Sequence, residues 1–310
     1  MAEEWKVDGR LALEVRRGPN HPPRQVGPWM RHHVGSMTDR TPHMKSSGWQ
    51  NLDDAANPDT FVGYLDAAAT ILRKARLDTV RALEVTSGCS VLDVGSGAGE
   101  FLIELAGSVE NVRAVGIDAS SAMVETATSR AEAAGAAVQF VIGDAEHLDF
   151  PDGSFDRVNC SRVLVHLEHP RAAVEEMARV LAPGGRLAAF EPDFDAMMID
   201  SDDLATATAV RNALIAGLRN PDIGRRLRRL ALDAGLELVD VSVSASAIAS
   251  LQTAIEQFHL LEHLDKAAVA GMVSAETASQ WRASVEAADS SGRFTVWPVA
   301  FRVLATKAAL

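Results

Sequence analysis

Five short apolar runs, each followed by a helical pattern, dominate the middle of the chain. They fall at residues 90–94, 112–118, 138–142, 155–160 and 186–190. Runs of this length, nearly continuous in Val, Ile, Leu and Ala, read as strands buried on both faces of a parallel sheet. The intervening stretches carry apolar residues at three- and four-residue spacing. One of them starts at about Glu100. A second has Ser120 or Ser121 as its N-cap and Met123, Val124 and Ala127 on its apolar face. A third runs from about Arg171 to Leu181 and is closed by Pro183-Gly184-Gly185. Strands alternating with helices at this spacing predict βαβ units with right-handed crossovers. Further on, 223–234 reads as a helix, 236–243 as a sixth strand and 294–306 as a seventh. Residues 194–222 and 247–289 read as helical insertions after the fifth and sixth strands. Such insertions border the crevice at the strand ends and supply a substrate cap.

Upstream of the first strand the pattern changes twice. From Pro58, Phe61, Leu65, Ala68, Ala69 and Leu72 recur at helical spacing, and Leu77, Val80, Leu83 and Val85 continue them. This predicts one or two amphipathic helices within a cap element at about 49–85, with Trp49 and Tyr64 packed in it. Residues 1–48 have no periodicity and carry Pro19, Pro22, Pro23 and Pro28. Their balance is +3, from eight basic and five acidic residues, which leaves −15 for the remainder. That segment is expected to be a flexible arm, or sequence upstream of a start at Met37. The domain expectation is therefore an arm over 1–48 and one α/β domain over 49–310.

Composition narrows the function classes. The chain has 310 residues, a hydrophobic content of 47% and a formal charge of −12, with only five lysines. An acidic surface argues against nucleic acid as a partner. Two cysteines, Cys89 and Cys160, are too few for a disulfide framework or a Cys-rich zinc site, and both read as small core residues. No run approaches the ~20 apolar residues needed to span a bilayer, and no secretion signal is evident, so a cytoplasmic location without membrane insertion is expected. The sequence sets no oligomeric state; a homodimer is compatible with it.

The candidate chemistry sits at the strand ends. The first strand closes with Asp93-Val94-Gly95-Ser96-Gly97-Ala98-Gly99-Glu100, a tight turn that exposes backbone N–H groups at a helix start. Asp118 ends the second strand and Gly143-Asp144-Ala145 the third. An acid after the second strand suits the two hydroxyls of a ribose. One after the third suits an exocyclic amine, so the set suits an adenosine lying across the strand ends. A nicotinamide dinucleotide needs a small residue where Glu100 stands, and Glu100 would bring negative charge toward its pyrophosphate. Electrostatics prefer a cationic ligand without phosphate, S-adenosylmethionine.

These residues carry a family resemblance. Val91 to Gly99 resembles the first motif of the class I S-adenosylmethionine-dependent methyltransferases, and Val115-Gly116-Ile117-Asp118 their ribose-binding acid. Gly143-Asp144-Ala145 resembles the adenine-binding turn. Phe155-Asp156-Arg157-Val158 and Arg179 to Gly185 resemble two later motifs, with a weaker echo in Asn220 to Arg226. The chain is similar to the small-molecule branch that includes ubiquinone- and menaquinone-biosynthesis C-methyltransferases. The resemblance implies a Rossmann-like α/β fold, a seven-stranded sheet in the order 3-2-1-4-5-7-6 with the last strand antiparallel. It also implies S-adenosylmethionine as methyl donor. Asp93, Gly95 and Gly97 would hold its methionine part and Asp118 with Ala119 its ribose. Met123, Asp144 and Ala145 would hold its adenine, and Ser161 would add backbone to the pocket.

The implied reaction is in-line methyl transfer to an O, N or C nucleophile of a small, partly apolar acceptor. Methylation of RNA or protein, and a cofactor-binding or cyclase role without transfer, are the alternatives. No Asn-Pro-Pro-Tyr/Phe run and no Pro-Cys nucleophile follow the fourth strand. His166 is the candidate general base, because imidazole titrates near neutrality, with Glu191 and Asp193 next. His259 and His263, four apart on one expected helix, are read as polar cap residues, and no metal site is expected.

Overall fold

The structure, a computed structural model, describes residues 73–309. The expected arm over 1–48 and most of the cap element at 49–85, with Trp49 and Tyr64, lie outside the described residues. A helical segment at 73–82 leads into the first strand.

Seven strands form one sheet: β1 (Ser90–Val94), β2 (Arg113–Asp118), β3 (Val138–Ile142), β4 (Phe155–Ser161), β5 (Leu181–Ile199), β6 (Glu237–Ala245) and β7 (Val296–Thr306). Their order is β3-β2-β1-β4-β5-β7-β6, as the resemblance implied. The β1–β5 pairs are parallel, and β7 runs antiparallel between β5 and β6. The helices are α1 (Glu100–Ser108), α2 (Ser121–Ala134), α3 (Pro170–Val180), α4 (Leu204–Ile215), α5 (Ile223–Asp233), α6 (Leu251–Phe258), α7 (Leu260–Val269) and α8 (Ala275–Ser290). Among the described residues no helix is long and apolar enough to cross a membrane.

Alternation along the strands builds a core on each sheet face. Leu92 and Val94 of β1 join Val158, Leu187 and Ala189 under α3 and α5. Val91 joins Ala114, Phe140 and Leu304 under α1 and α2, with Leu83 closing the layer beside 73–82. A third cluster belongs to the cap, where α4, α6, α7 and α8 surround Trp281, Phe294 and Val296. Lys307 fastens the sheet to α3, its ammonium donating to the carbonyls of Ala178 (2.8 Å), Arg179 (3.2 Å) and Leu181 (2.8 Å). A cation there meets the negative end of the helix dipole and its unpaired carbonyls.

Two elements differ from expectation. β5 does not stop at residue 190. It continues through Ile199 because β7 pairs with it well beyond the end of β4, with an irregularity between Asp193 and Met198. Pro192 is tolerated there because β4 pairs with β5 only as far as Phe190. Glu191 and Asp193 therefore lie within a strand rather than past its end. Within the helical insertion expected over 247–289, the helix is broken at His259, which closes α6 and opens α7 in the left-handed region at φ 49°.

Candidate functional site

The turn after β1 is held in left-handed backbone by Gly95, Gly97 and Gly99, at φ 69°, 51° and 87°. Gly99 is the most constrained. A Cβ there would stand 2.7 Å from the Phe140 ring, so the turn packs against β3 only because the side chain is missing. Gly99 is also the N-cap of α1, with no side chain accepting from the first helical turn. A helix start left so favours an anionic group nearby.

Backbone and carboxylate bonds stitch this turn to the ends of β2 and β3. Ser96 N–H donates to Ile117 O at 2.8 Å, and Gly143 N–H to Asp118 O at 3.0 Å. Asp118 receives Gly97 N–H at Oδ2 (2.9 Å) and Ser120 N–H at Oδ1 (3.0 Å). The acid and the glycine turn thus form one unit, which fixes the carboxylate before any ligand arrives. Ser120 caps α2 by accepting Met123 N–H. Ala119 is exposed and Ala145 buried. Asp144 is exposed and its Oδ1 accepts Glu146 N–H at 2.8 Å, which shapes the turn after β3. Met123 packs into the core at 2% exposure, so little of its surface is left to meet a ligand.

Asp93 is buried beside β4. Asn159, its register partner, donates from Nδ2 to Asp93 Oδ1 at 2.7 Å. Burial pushes the Asp93 carboxyl up to about 7. The Asn159 bond opposes that rise, and the Glu100 and Asp118 charges add to it. Asn159 Oδ1 and Ser96 Oγ are buried with no hydrogen-bond partner. Buried polar atoms in that state call for a further partner, such as water or a ligand. Asn159 was not singled out from the sequence; its pairing with Asp93 across 66 residues has no local signal.

Glu100 pairs with Arg130 of α2 at 2.8 Å, both side chains partly exposed. Its charge still acts on Asp93, so the acidic character of the turn comes from Asp93, Asp118 and Glu100 together.

Past β4 the chain turns sharply. Ser161 ends the strand opposite Phe190, and Arg162 adopts φ 62°, a conformation that costs a residue with a side chain roughly 1–2 kcal/mol. The following turn is held by Glu191, whose Oε1 accepts from Val163 N–H (2.8 Å) and Leu164 N–H (2.9 Å), and whose Oε2 accepts from Val165 N–H (3.4 Å). Burial raises the Glu191 carboxyl to about 7 against the pull of those three donors. Asp193, fully buried, is paired bidentately with Arg225, at 2.6 Å to each oxygen. Both β5 acids thus brace neighbouring backbone. His166 lies on the same turn. Burial, and then the Arg162 charge, lower it to about 4. Its ring is therefore neutral at pH 7, and it is a weaker base than an ordinary histidine, contrary to the neutral titration expected from sequence.

His259 is the N-cap of α7 and His263 lies inside that helix, its N–H donating to His259 O at 3.0 Å. His259 Nδ1 lies 3.6 Å from Glu262, and burial is the main cause that lowers His263 to about 4. Among the described residues no three His, Cys, Asp or Glu side chains converge as metal ligands.

Comparison with known proteins places this geometry. A family model described as a methyltransferase domain matches residues 91–185. An uncharacterized 37.1 kDa protein in transposon TN4556 of Streptomyces fradiae is 37% identical over 249 residues, covering 79% of this chain and 72% of that protein. A demethylmenaquinone methyltransferase of Deinococcus radiodurans is 41% identical over 101 residues, which span 33% of this chain and 42% of that enzyme's length. Among solved structures, the YcgJ protein of Bacillus subtilis aligns with a TM-score of 0.54 at 23% identity, over 77% of this chain and all of that one; the likeness is one of fold.

Proposed function

The chain belongs to the class I S-adenosylmethionine-dependent methyltransferases, and we propose that it methylates an O, N or C nucleophile of a small, partly apolar metabolite. One observation carries the assignment of the site to the strand ends of β1 to β4. Gly97 N–H and the Asp118 carboxylate are joined at 2.9 Å, so the glycine turn and the β2 acid act as one preformed receptor.

The residues fit S-adenosylmethionine. The buried oxygens of Asn159 and Ser96 lack partners, and the methionine ammonium offers three donors to them and to Asp93. The uncapped start of α1 suits the methionine carboxylate. Asp118, oriented by its two N–H donors, would take the ribose hydroxyls, with Ala119 beside them. Asp144 and Ala145 would read the adenine edge, and Ser161 would close the pocket with backbone. Gly95 and Gly97 let the ligand approach the main chain. The cofactor supplies an electrophilic methyl on a sulfonium, and the protein's part is to orient the acceptor and exclude water. His166 is the candidate proton acceptor on the acceptor side, neutral and hence competent at pH 7 but weak. A weak base suits an acceptor that is already acidic, such as a phenol or a stabilised carbon acid.

A small apolar acceptor is supported by two features. The net charge of −12 disfavours RNA as the acceptor. Within β5, Phe194 meets Phe258 of α6 edge-to-face, with ring centroids 6.4 Å apart, an aromatic contact between sheet and cap. The test is incubation with S-adenosylmethionine and a panel of phenols, quinols, amines and carboxylates, reading S-adenosylhomocysteine. His166→Gln should lower turnover of a phenolic acceptor about 10²-fold, the usual worth of a general base, with cofactor affinity unchanged. Equal turnover in that variant would remove His166 from the chemistry.

A further inference from the structure

The segment Asn220-Pro221-Asp222-Ile223-Gly224-Arg225-Arg226 is bonded to the turn that carries His166 and to the strand behind it. Asn220 Nδ2 donates to Leu164 O (3.0 Å) and Leu167 O (2.7 Å), and its own N–H donates to Val165 O (3.2 Å). Pro221 O accepts from Phe194 N–H at 2.8 Å. Gly224 lets α5 lie against β5, since a Cβ would stand 2.8 Å from the Phe301 ring and 3.1 Å from both Glu191 O and Asp193 Cβ. Arg225 then locks Asp193, and Arg226 donates to Asn220 Oδ1 at 3.3 Å. Glu191 gathers the N–H groups of residues 163–165, while Asn220 gathers the carbonyls of 164, 165 and 167. The turn is gripped through its donors by one residue and through its acceptors by the other, directly after Arg162 at φ 62°.

We propose that Asn220 and Glu191 are positioning residues that together fix the Arg162–Leu167 turn, and with it the burial and orientation of His166 on the acceptor side of the site. The inference rests on the methyltransferase reading for its functional meaning, but its structural content is independent of the acceptor. Loosening either grip lets water reach the His166 ring and moves the ring relative to the acceptor, while the glycine turn and Asp118 stay in place.

The experiment uses the full chain and reads the His166 imidazole by long-range ¹H–¹⁵N NMR titration, with His166→Gln to assign the signal. In the wild type it should titrate near 4. In Asn220→Ala, which removes the donors without adding a charge, the midpoint should rise by at least one pH unit, with S-adenosylhomocysteine affinity within about threefold of wild type by calorimetry. Glu191→Gln, which retains an acceptor for Val163 and Leu164 N–H, should give a smaller rise and serves if Asn220→Ala does not fold. A His166 midpoint unchanged in whichever variant folds would overturn the proposal. Failure of the wild type to bind S-adenosylhomocysteine would count against the methyltransferase reading instead, and leaves the titration result to decide this one.

Discussion

The proposal that Asp93 meets the cofactor's ammonium makes cofactor binding depend on pH, because burial raises this carboxyl toward neutrality. Its carboxyl moves from 3.8 to about 7 on folding, chiefly through burial. Between those values the fold keeps a proton that the unfolded chain has released, so the stability contributed by the neutral acid is lost as pH rises toward 7. At about 1.36 kcal/mol for each pH unit separating 3.8 from 7, the ionised carboxylate costs the ligand-free fold on the order of 4 kcal/mol. A bound ammonium compensates that charge, so binding below pH 7 must expel the proton. Affinity should be near its plateau at pH 7.5, fall roughly tenfold by pH 6 and a further tenfold by pH 5. Calorimetric titration of S-adenosylhomocysteine in two buffers of different ionisation enthalpy reads both quantities, and about 0.9 proton should be released per binding event at pH 6. Asp93→Asn should abolish the slope, weaken binding at pH 7.5, and make the ligand-free protein more stable above pH 7. A flat affinity between pH 5 and 7.5, or the same slope in Asp93→Asn, would refute the reasoning.

Other perturbations probe separate parts of the molecule. Asp118→Ala removes the acceptor of Gly97 and Ser120 N–H and should weaken S-adenosylhomocysteine binding roughly ten- to a hundredfold in the same titration. Lys307→Met strips the cap from the last carbonyls of α3 and should cost about 1–3 kcal/mol in urea unfolding, without changing cofactor affinity. Trp281 is 2% exposed in the cap cluster and donates to Ser201 Oγ at 3.0 Å. Trp281→Ala should cost about 3–5 kcal/mol, while Trp281→Phe, which loses less volume, should cost less, as thermal melting would show.

Legibility in the sequence followed the range of the interactions. The strands that carry Asp93, Asp118 and Asp144 were readable from their apolar runs, and the strand order β3-β2-β1 sets those strands side by side. The turn at Gly95 to Gly99 was readable because only glycine meets its local backbone demand. The ion pair of Glu100 with Arg130 was not readable, since the two lie 30 residues apart and nothing local announces it. Asn159, Glu191 and Asn220 act through partners 26 to 66 residues distant, so their roles appear only once β1, β4, β5 and α5 are assembled. The length of β5 was hidden for the same reason, because its last residues pair with β7 from the far end of the chain. His166 was found by type and place, but its depressed basicity comes from burial, which a sequence pattern does not display.

The central claim is methyl transfer to a small molecule at the Asp118 site. It is tested most directly by incubating the protein with S-adenosylmethionine labelled in the methyl group and a cell extract, then separating small molecules from macromolecules. The label should appear in the small-molecule fraction with stoichiometric S-adenosylhomocysteine, and Asp118→Ala should remove it. Label in RNA or protein, or tight cofactor binding with no S-adenosylhomocysteine formed, would contradict the account.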